Sequence, residues 1–507
     1  MGYPAEFASV TPSKAALVMV PSGAAITYRE LDERSFRLAR FLEDRGIPVG
    51  ATVAMISENR LEWAEVMWAA ARSGLDSAPV NWHLGADEVD AALRACEARV
   101  VVTSALRAPV VSRACAALGH IELVLIIGSP PDDVSWPAGI VEQYEPALAS
   151  VNQDVPLKHE LMGGRVMFSS GTTGAPKAVR HPASPVHPKD APPHLGEYTD
   201  LLHLRGDTVY LSSAPTYHTA PFRFVFAVLQ LGGTVVCLES FDAVVALEAV
   251  ERYRVTHAQF VPTMLKRLHD LAEPVKDAFD VSSLRVALTG AAPCPPELKK
   301  KMIEWWGPVV HELYGASEGY GNCHIGPDEA LEHPGSVGRA LRGTIHITDS
   351  EGNVLPAGKD GIIWFAGASP LERGARMPAD AERSGWRSVG DVGHVDVDGY
   401  LYLTGRANQM IISGGVNIHP QESENLLGLH PAVTDVAVVG LPDAEFGEIV
   451  AAYVVPRDGV PRDGLADELI GYCRSRIAHF KCPKVVFMVD ALPRGENGKM
   501  YTRLLRR

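Results

Sequence analysis

Three stretches bring together residue types able to grip a polyphosphate and the sugar and base attached to it. The first is Met167-Phe168-Ser169-Ser170-Gly171-Thr172-Thr173-Gly174-Ala175-Pro176-Lys177, where an apolar run ends in hydroxyl and glycine residues closed by a lysine. Backbone N–H groups, hydroxyls and one cation are what successive phosphates need. The spacing is GxxGxxK, not the GxxxxGK[ST] of P-loops, and Pro176 and Pro182 oppose a following helix. A solvated Ser/Thr/Gly surface loop has the same composition, and composition alone does not choose between the two. The second stretch is Leu313-Tyr314-Gly315-Ala316-Ser317-Glu318-Gly319-Tyr320-Gly321, preceded by Thr289-Gly290-Ala291-Ala292-Pro293. Glycines beside an aromatic let a flat base lie against backbone, and a carboxylate in the same turn can hold a divalent cation bridging phosphates. Taken singly, Tyr314 also suits a core and Glu318 a solvated surface. The third is Ser388-Val389-Gly390-Asp391, followed by Gly399-Tyr400 and Thr404-Gly405-Arg406. An aspartate on a tight turn can accept both hydroxyls of a ribose, and an arginine downstream can reach phosphate. Turn chemistry by itself also accounts for an Asp after Gly.

The elements that must position these stretches follow from periodicity. Helix-like Thr27–Arg45, strand-like Thr52–Ile56, helix-like Leu61–Arg72 and strand-like Ser77–Val80, Val100–Thr103 and Leu123–Ile127 alternate, which implies parallel strands covered by helices. The rhythm returns with strands expected at Thr208–Leu211, Thr234–Leu238, His257–Val261 and Arg285–Thr289. Between the blocks, His181–His194 carries five prolines and reads as a surface excursion. From about residue 335 to 403 the chain turns Gly-punctuated and strand-rich, the pattern of a smaller β-rich unit. After Asn408 it reads strand Val433–Val439, strand Ile449–Val455, helix Gly464–His479 and strand Val485–Val489, an α+β unit of ordinary domain size. The most apolar window, Pro221–Leu238, contains Arg223, Gln230 and Gly232-Gly233, so a buried helix turning into a strand is expected there, not a membrane span.

Composition narrows the function classes. The 507 residues are 46% apolar and 21% charged, which supplies a large core and excludes disorder. A formal charge of −14, from 61 acidic and 47 basic residues, works against nucleic-acid phosphates and anionic lipid surfaces. Seven scattered cysteines without a CxxC pair point to reduced thiols, hence a cytoplasmic setting without disulfides or a zinc site. The N-terminus shows no export signal, and Glu6 stands where a myristoylation signal has Ser or Thr.

In order and spacing these motifs resemble those of the acyl-adenylate-forming superfamily, in its AMP-dependent acyl-CoA synthetase branch. Three more carry the likeness: Ala214-Pro215-Thr216-Tyr217-His218, the segment Ile411-Ile412-Ser413-Gly414-Gly415-Val416-Asn417-Ile418-His419-Pro420-Gln421-Glu422, and Pro493-Arg494-Gly495-Glu496-Asn497-Gly498-Lys499. The resemblance implies an α/β fold: a large N-terminal body of layered sheets over 1–407, including the β-rich unit, and a small mobile α+β domain over 408–507 hinged at Asn408. It implies that Ser169, Ser170, Gly171, Thr172, Thr173, Gly174 and Lys177 close over the ATP phosphates and that Glu318 holds Mg²⁺. Gly290, Ala291, Ala292, Glu312, Tyr314, Gly315, Ala316 and Ser317 would surround the nucleotide, Asp391 would hold the ribose and Arg406 would approach ribose and phosphate. Lys499 would offset the charge that builds as carboxylate meets α-phosphate. Ser413, Gly414 and Gly415 would line the coenzyme A channel, and His218, Phe222 and Gly290 the acyl pocket. The aromatics after His218 also suit plain core.

The activity so implied is an AMP-forming acyl-CoA ligase using ATP, Mg²⁺ and coenzyme A. Amino-acid-activating members place an Asp early in the His218 motif; Thr216-Tyr217-His218 has none, which favours a simple hydrophobic acid, fatty, aryl or steroid-derived. An acyl-AMP ligase loading a carrier protein would bear an insertion between Asp391 and Asn408, and that interval is short. A non-catalytic nucleotide- or acyl-adenylate-binding protein would lack Lys499 or Glu318, and both are present. Departures from the family pattern are Ser317 for Thr, Val389 before Gly390-Asp391, and Asn408-Gln409 at the hinge. Partners would be the small-molecule acid, ATP and coenzyme A, with no nucleic acid and no transmembrane segment; a homo-oligomer is compatible with the sequence.

Overall fold

The structure, a computed structural model, describes all residues except 1, 117, 130–133, 138, 171–175, 182, 317–318, 368–384, 407–408, 414–415, 496–499 and 506–507. For Ser169, Ser170, Pro176, Lys177, Asn417 and Arg503 it describes the backbone only. The chain divides into two compact units, the first chiefly Met1–Phe260 with Arg267–Leu288, the second chiefly Thr289–Pro370 with Met377–Arg507.

In the first unit, a seven-stranded sheet runs in the order Val141–Gln143, Leu123–Ile127, Ala98–Ser104, Thr52–Ile56, Asp76–Pro79, Arg165–Ser170, Pro176–His181. All neighbours are parallel but the last pair, which forms an antiparallel hairpin. Both faces are covered, so its strands are continuous apolar runs: Thr52–Ile56 and Leu123–Ile127 are buried at every position. Helices Ala86–Ala95 and Ala108–Cys115 close one face through Val89, Ala92, Leu93, Val111 and Cys115. A second parallel set orders His257–Phe260, Val209–Ser212, Thr234–Leu238 and Ala15–Val20, with the short strand Ala25–Thr27 antiparallel at its edge.

Helix Tyr28–Asp44 starts where Thr27 and Glu30 cap each other's backbone N–H groups, and it buries Leu31, Leu38, Phe41 and Leu42 along one face. Its Tyr28 hydroxyl donates 2.7 Å to the carbonyl of Gly233, tying the helix to the crossover. That crossover is helix Thr219–Gln230 followed by strand Thr234–Leu238, the arrangement expected of the apolar window Pro221–Leu238.

In the second unit, Val310–Gly315 pairs antiparallel with Asn322–Ile325. A four-stranded antiparallel sheet orders Thr344–Thr348, Gly361–Ala366, Asp391–Val395 and Leu401–Arg406. Cys323, Val337, Ile347, Ile363, Phe365 and Leu401 form their shared core, with Tyr314 packed on it. Farther along, Val433–Asp443 pairs with Gly447–Pro456, and Ile411–Ser413 and Val485–Met488 flank the latter. Helices Pro420–Gly428 and Leu465–Arg474 belong to the same layer, which has its own core of Ile411, Ile418, Leu427, Val438, Val454 and Leu469.

Three local expectations need correction. Asp391 is not on a tight turn but opens a strand; the turn residue is Gly390, at φ +82°. The proline-rich segment is not simply a surface excursion, since the side-chain amide of Gln230 both accepts from His194 N–H and donates to Pro192 C=O, drawing it onto helix Thr219–Gln230. The helix expected to reach His479 stops at Arg474; just beyond it the Arg476 N–H bonds the Cys473 carbonyl three residues back, tightening the last turn.

Candidate functional site

Strands Asp391–Val395 and Leu401–Arg406 run antiparallel in a register that sets Asp391 opposite Arg406. Arg406 Nε lies 2.9 Å from Asp391 Oδ1, and the Tyr314 hydroxyl donates 2.6 Å to Oδ2. Tyr314 arrives from a different strand, held by ring contact with Phe365 at 6.3 Å. Burial, with Asp391 beside it, pushes the Tyr314 phenol far above its ordinary range, so the hydroxyl stays protonated and remains a donor. Oδ2 of Asp391 accepts one hydrogen bond and Oδ1 is ion-paired with Arg406, and each oxygen keeps a lone pair for another partner. The carboxylate can therefore accept two adjacent hydroxyls while its orientation is fixed from behind.

The strand carrying Tyr314 is anchored by Glu312, whose carboxylate forms a buried ion pair with Lys299 of helix Pro296–Trp306. Lys299 Nζ also donates 3.1 Å to Ser336 C=O. Burial raises the Glu312 carboxyl, and the Lys299 ammonium pulls it back. Gly290 ends strand Val286–Gly290, where a Cβ would stand 2.6 Å from the carbonyl oxygen of Leu313; only glycine lets the two backbones approach so closely. The next residue, Ala291, sits at φ +66°, a conformation that costs a non-glycine residue energy and turns the chain sharply. Gly290, Ala291 and Ala292 thus follow directly on the strand edge that Leu313 and Tyr314 adjoin. Beside Arg406, a small cleft is lined by Gly405, Gln409, Gln421, Glu424 and Thr502.

In the first unit, the strands on either side of the Ser/Thr/Gly stretch, Arg165–Ser170 and Pro176–His181, pair antiparallel with Ser169 opposite Lys177. Gly171, Thr172, Thr173 and Gly174 lie outside the described residues, as do Ser317, Glu318, Asn408, Gly414, Gly415 and Lys499. Ser413 pairs with Val416 across the two glycines. Ala316 follows the strand that ends at Gly315. His218 directly precedes helix Thr219–Gln230, and its ring lies 4.2 Å from that of Tyr217. Phe222 is buried; Phe224 and Phe226 stack on Tyr210 and Trp68, so these two serve the core.

Several positioning residues were not singled out in the sequence. Asn59, at the C-terminal end of strand Thr52–Ile56, accepts from Thr216 N–H and donates to Leu238 C=O, both at 2.8 Å, and so holds the segment leading to His218. Its place beyond the carboxyl end of a parallel strand, where ligands of open α/β sheets bind, was the available signal. Lys299 and Phe365 carry no local signal.

A family model described as AMP-binding enzyme matches residues 5–373, and one described as AMP-binding enzyme C-terminal domain matches 422–499. A feruloyl-CoA synthase of an Amycolatopsis species is 34% identical, covering 100% of this chain and 98% of the relative. A long-chain-fatty-acid–CoA ligase of Mycobacterium tuberculosis is 30% identical over 98% of this chain and 96% of its own. Among solved structures, an o-succinylbenzoate CoA synthetase from Bacillus subtilis bound to its acyl-adenylate intermediate superposes with TM-score 0.80 at 25% identity, covering 100% of this chain and 98% of that one. With its strand-borne Tyr, Asp and Arg and both family segments in order, the chain belongs to the AMP-binding, acyl-adenylate-forming enzyme family.

Proposed function

We propose that this chain is an AMP-forming acyl-CoA ligase acting on a hydrophobic carboxylic acid. In the first half-reaction the acid's carboxylate oxygen attacks the α-phosphorus of ATP, the bond to the β-phosphate breaks and pyrophosphate leaves. In the second, the thiol of coenzyme A attacks the acyl carbonyl and AMP leaves. The observation that carries the reading is the braced Asp391 carboxylate, which suits the two hydroxyls of a ribose, with Arg406 beside it able to reach phosphate. Tyr314 and the Gly290–Ala292 backbone would flank the adenine. Glu312 would act through Lys299 to set the strand that carries Tyr314.

The remaining assignments rest on family likeness. Ser169 to Lys177 would cradle the phosphates, and Lys499 would offset the charge that builds at the α-phosphate. A Mg²⁺ ion would be held by Glu318 together with phosphate oxygens, the usual manner for this ion. It would neutralise phosphate charge. The segment 408–507, with a core of its own, would swivel about Asn408 between half-reactions and bring Ser413, Gly414 and Gly415 to the pantetheine arm. Relatives named for feruloyl and long-chain fatty acids span aryl and aliphatic substrates, in line with an apolar acid at His218 and Phe222. No helix among the described residues is long and apolar enough to cross a membrane.

Pyrophosphate exchange screened across fatty, aryl and steroid side-chain acids, with mass detection of the thioester, tests the reading. Acid-dependent exchange and a CoA thioester are expected; exchange without thioester, or neither, would refute it.

A further inference from the structure

Strand Pro176–His181, which follows the Ser/Thr/Gly stretch, is the edge strand of the seven-stranded sheet. It pairs with Arg165–Ser170 along its whole length, from Ser170 opposite Pro176 to Arg165 opposite His181. These two strands join the parallel ones at their foot, where Ser77 pairs with Arg165 and the Ser77 N–H donates 3.0 Å to the Gly164 carbonyl. Val166, Phe168 and Ala178 pack on the core beneath. Apolar contact of that kind is non-directional, and an edge strand has one neighbour only to fix its register. Arg180 supplies a directional tie. Its guanidinium forms an ion pair with the buried Asp76 carboxylate, donates to the Thr52 hydroxyl at 3.4 Å and donates 3.1 Å to the Cys96 carbonyl. The exposed Glu97 carboxylate stands 3.6 Å away. Thr52 and Asp76 open neighbouring parallel strands and lie opposite each other, while Cys96 caps helix Ala86–Ala95. One side chain of the edge strand therefore grips two strands and a helix. Burial pushes the Asp76 carboxyl up, and the Arg180 guanidinium pulls it back. Such a pair adds little net stability over apolar groups of the same volume, and its best-attested use is to hold a register.

We propose that Arg180 and Asp76 are positioning residues for the phosphate loop, fixing the register in which strand Pro176–His181 brings Lys177 to the β- and γ-phosphates of ATP. Arg180 lies three residues beyond Lys177, roughly 10 Å along the strand. A one-residue slip would turn Arg180 to the other face of the sheet, away from Asp76, and carry position 177 off its pairing with Ser169. Neither Arg180 nor Asp76 touches substrate; both act on the loop through the backbone that leads to it. The inference rests on the ligase reading, in which Ser169 to Lys177 cradle the phosphates, and adds the residues that aim the cradle.

The test compares ATP and AMP binding, by titration calorimetry with Mg²⁺ present, in the full-length wild type, in Arg180→Met, which keeps the aliphatic stem, and in Asp76→Asn, which keeps the shape. ATP affinity should fall about 5–50-fold in Arg180→Met, below the roughly 100-fold that a misplacement of about 1 Å can cost, while AMP affinity stays within about twofold. Thioester formation from supplied acyl-adenylate should be unchanged, because no β- or γ-phosphate takes part in that step. Asp76→Asn should show the same pattern at smaller amplitude. Arg180→Lys, which keeps a cation beside Asp76 but not the fork, should lose less ATP affinity than Arg180→Met. If Arg180→Met does not fold, Asp76→Asn and Arg180→Lys decide. Equal weakening of ATP and AMP, or a lower melting temperature with ATP affinity within about twofold of wild type, would overturn the proposal and leave the ligase reading intact. A wild type that binds no ATP would overturn both.

Discussion

Replacing Tyr314 by Phe removes one oxygen atom and keeps the ring that packs on Phe365. The lost contact is the 2.6 Å hydrogen bond to Asp391, a length in the range of charge-assisted O–H···O⁻ bonds. Such a bond contributes about 1.5–3 kcal/mol net. Arg406 still holds the other oxygen at 2.9 Å, so the Asp391 side chain keeps that partner but is free to pivot about the single contact. If the orientation of the carboxylate serves the ribose, most of the loss should appear as weaker nucleotide binding: ATP affinity down about 10-fold, and at most about 100-fold. Titration calorimetry with ATP, alongside urea unfolding of the same variant, separates binding from folding. Asp391→Asn should weaken ATP at least as much, and the double variant should fall short of the sum, because the two residues act through one contact. The reasoning is refuted if Tyr314→Phe binds ATP within about twofold of wild type while its unfolding free energy drops by about 1.5–3 kcal/mol, for then the hydroxyl braces the fold only.

Glu424, beside the Arg406 cleft, has its carboxyl raised by burial from an ordinary 4.5 to about 7, so between those values the folded protein holds a proton that the unfolded chain lacks. Stability should therefore fall as pH rises from about 4.5 to about 7, by at most about 3 kcal/mol, and level off above; Glu424→Gln should abolish that slope in pH-dependent urea melts. Lys299→Met strands the buried Glu312 carboxylate and should cost about 3–5 kcal/mol, largely regained when Glu312→Leu is added; a single-variant loss below about 1 kcal/mol would contradict a tight buried pair. Lys499→Ala should largely abolish adenylate formation yet leave thioester formation from supplied acyl-adenylate nearly intact, and equal loss of both steps would contradict its assignment.

Much of the scaffold was legible because its elements bury whole faces. Thr52–Ile56, Leu123–Ile127 and Thr234–Leu238 have the expected bounds, since fully buried parallel strands are short apolar runs cut off by polar turns. Strand Asp391–Val395 was hidden: it begins with a charged residue and includes a glycine and a histidine, so nothing in its pattern alternates cleanly. The packing of the proline segment was hidden too, because it depends on Gln230, a polar residue whose amide matches two backbone groups far away in sequence. At the candidate site, Tyr314, Asp391 and Arg406 could be picked out by motif, whereas Lys299, Asn59 and Phe365 could not, since each acts by supporting another residue.

The contiguous stretches by themselves determined the family, the kinds of groups offered to a nucleotide and the layered α/β class, because hydroxyl, glycine and charge spacing within one loop is local information. Only the tertiary structure decided what those groups do to each other. It set Asp391 across a hairpin from Arg406 and brought Tyr314 to the same carboxylate from 77 residues away. Strand register and helix packing bring distant charges to within a few ångströms, and at that range burial, not residue type, determines whether a charge is neutralised or braced.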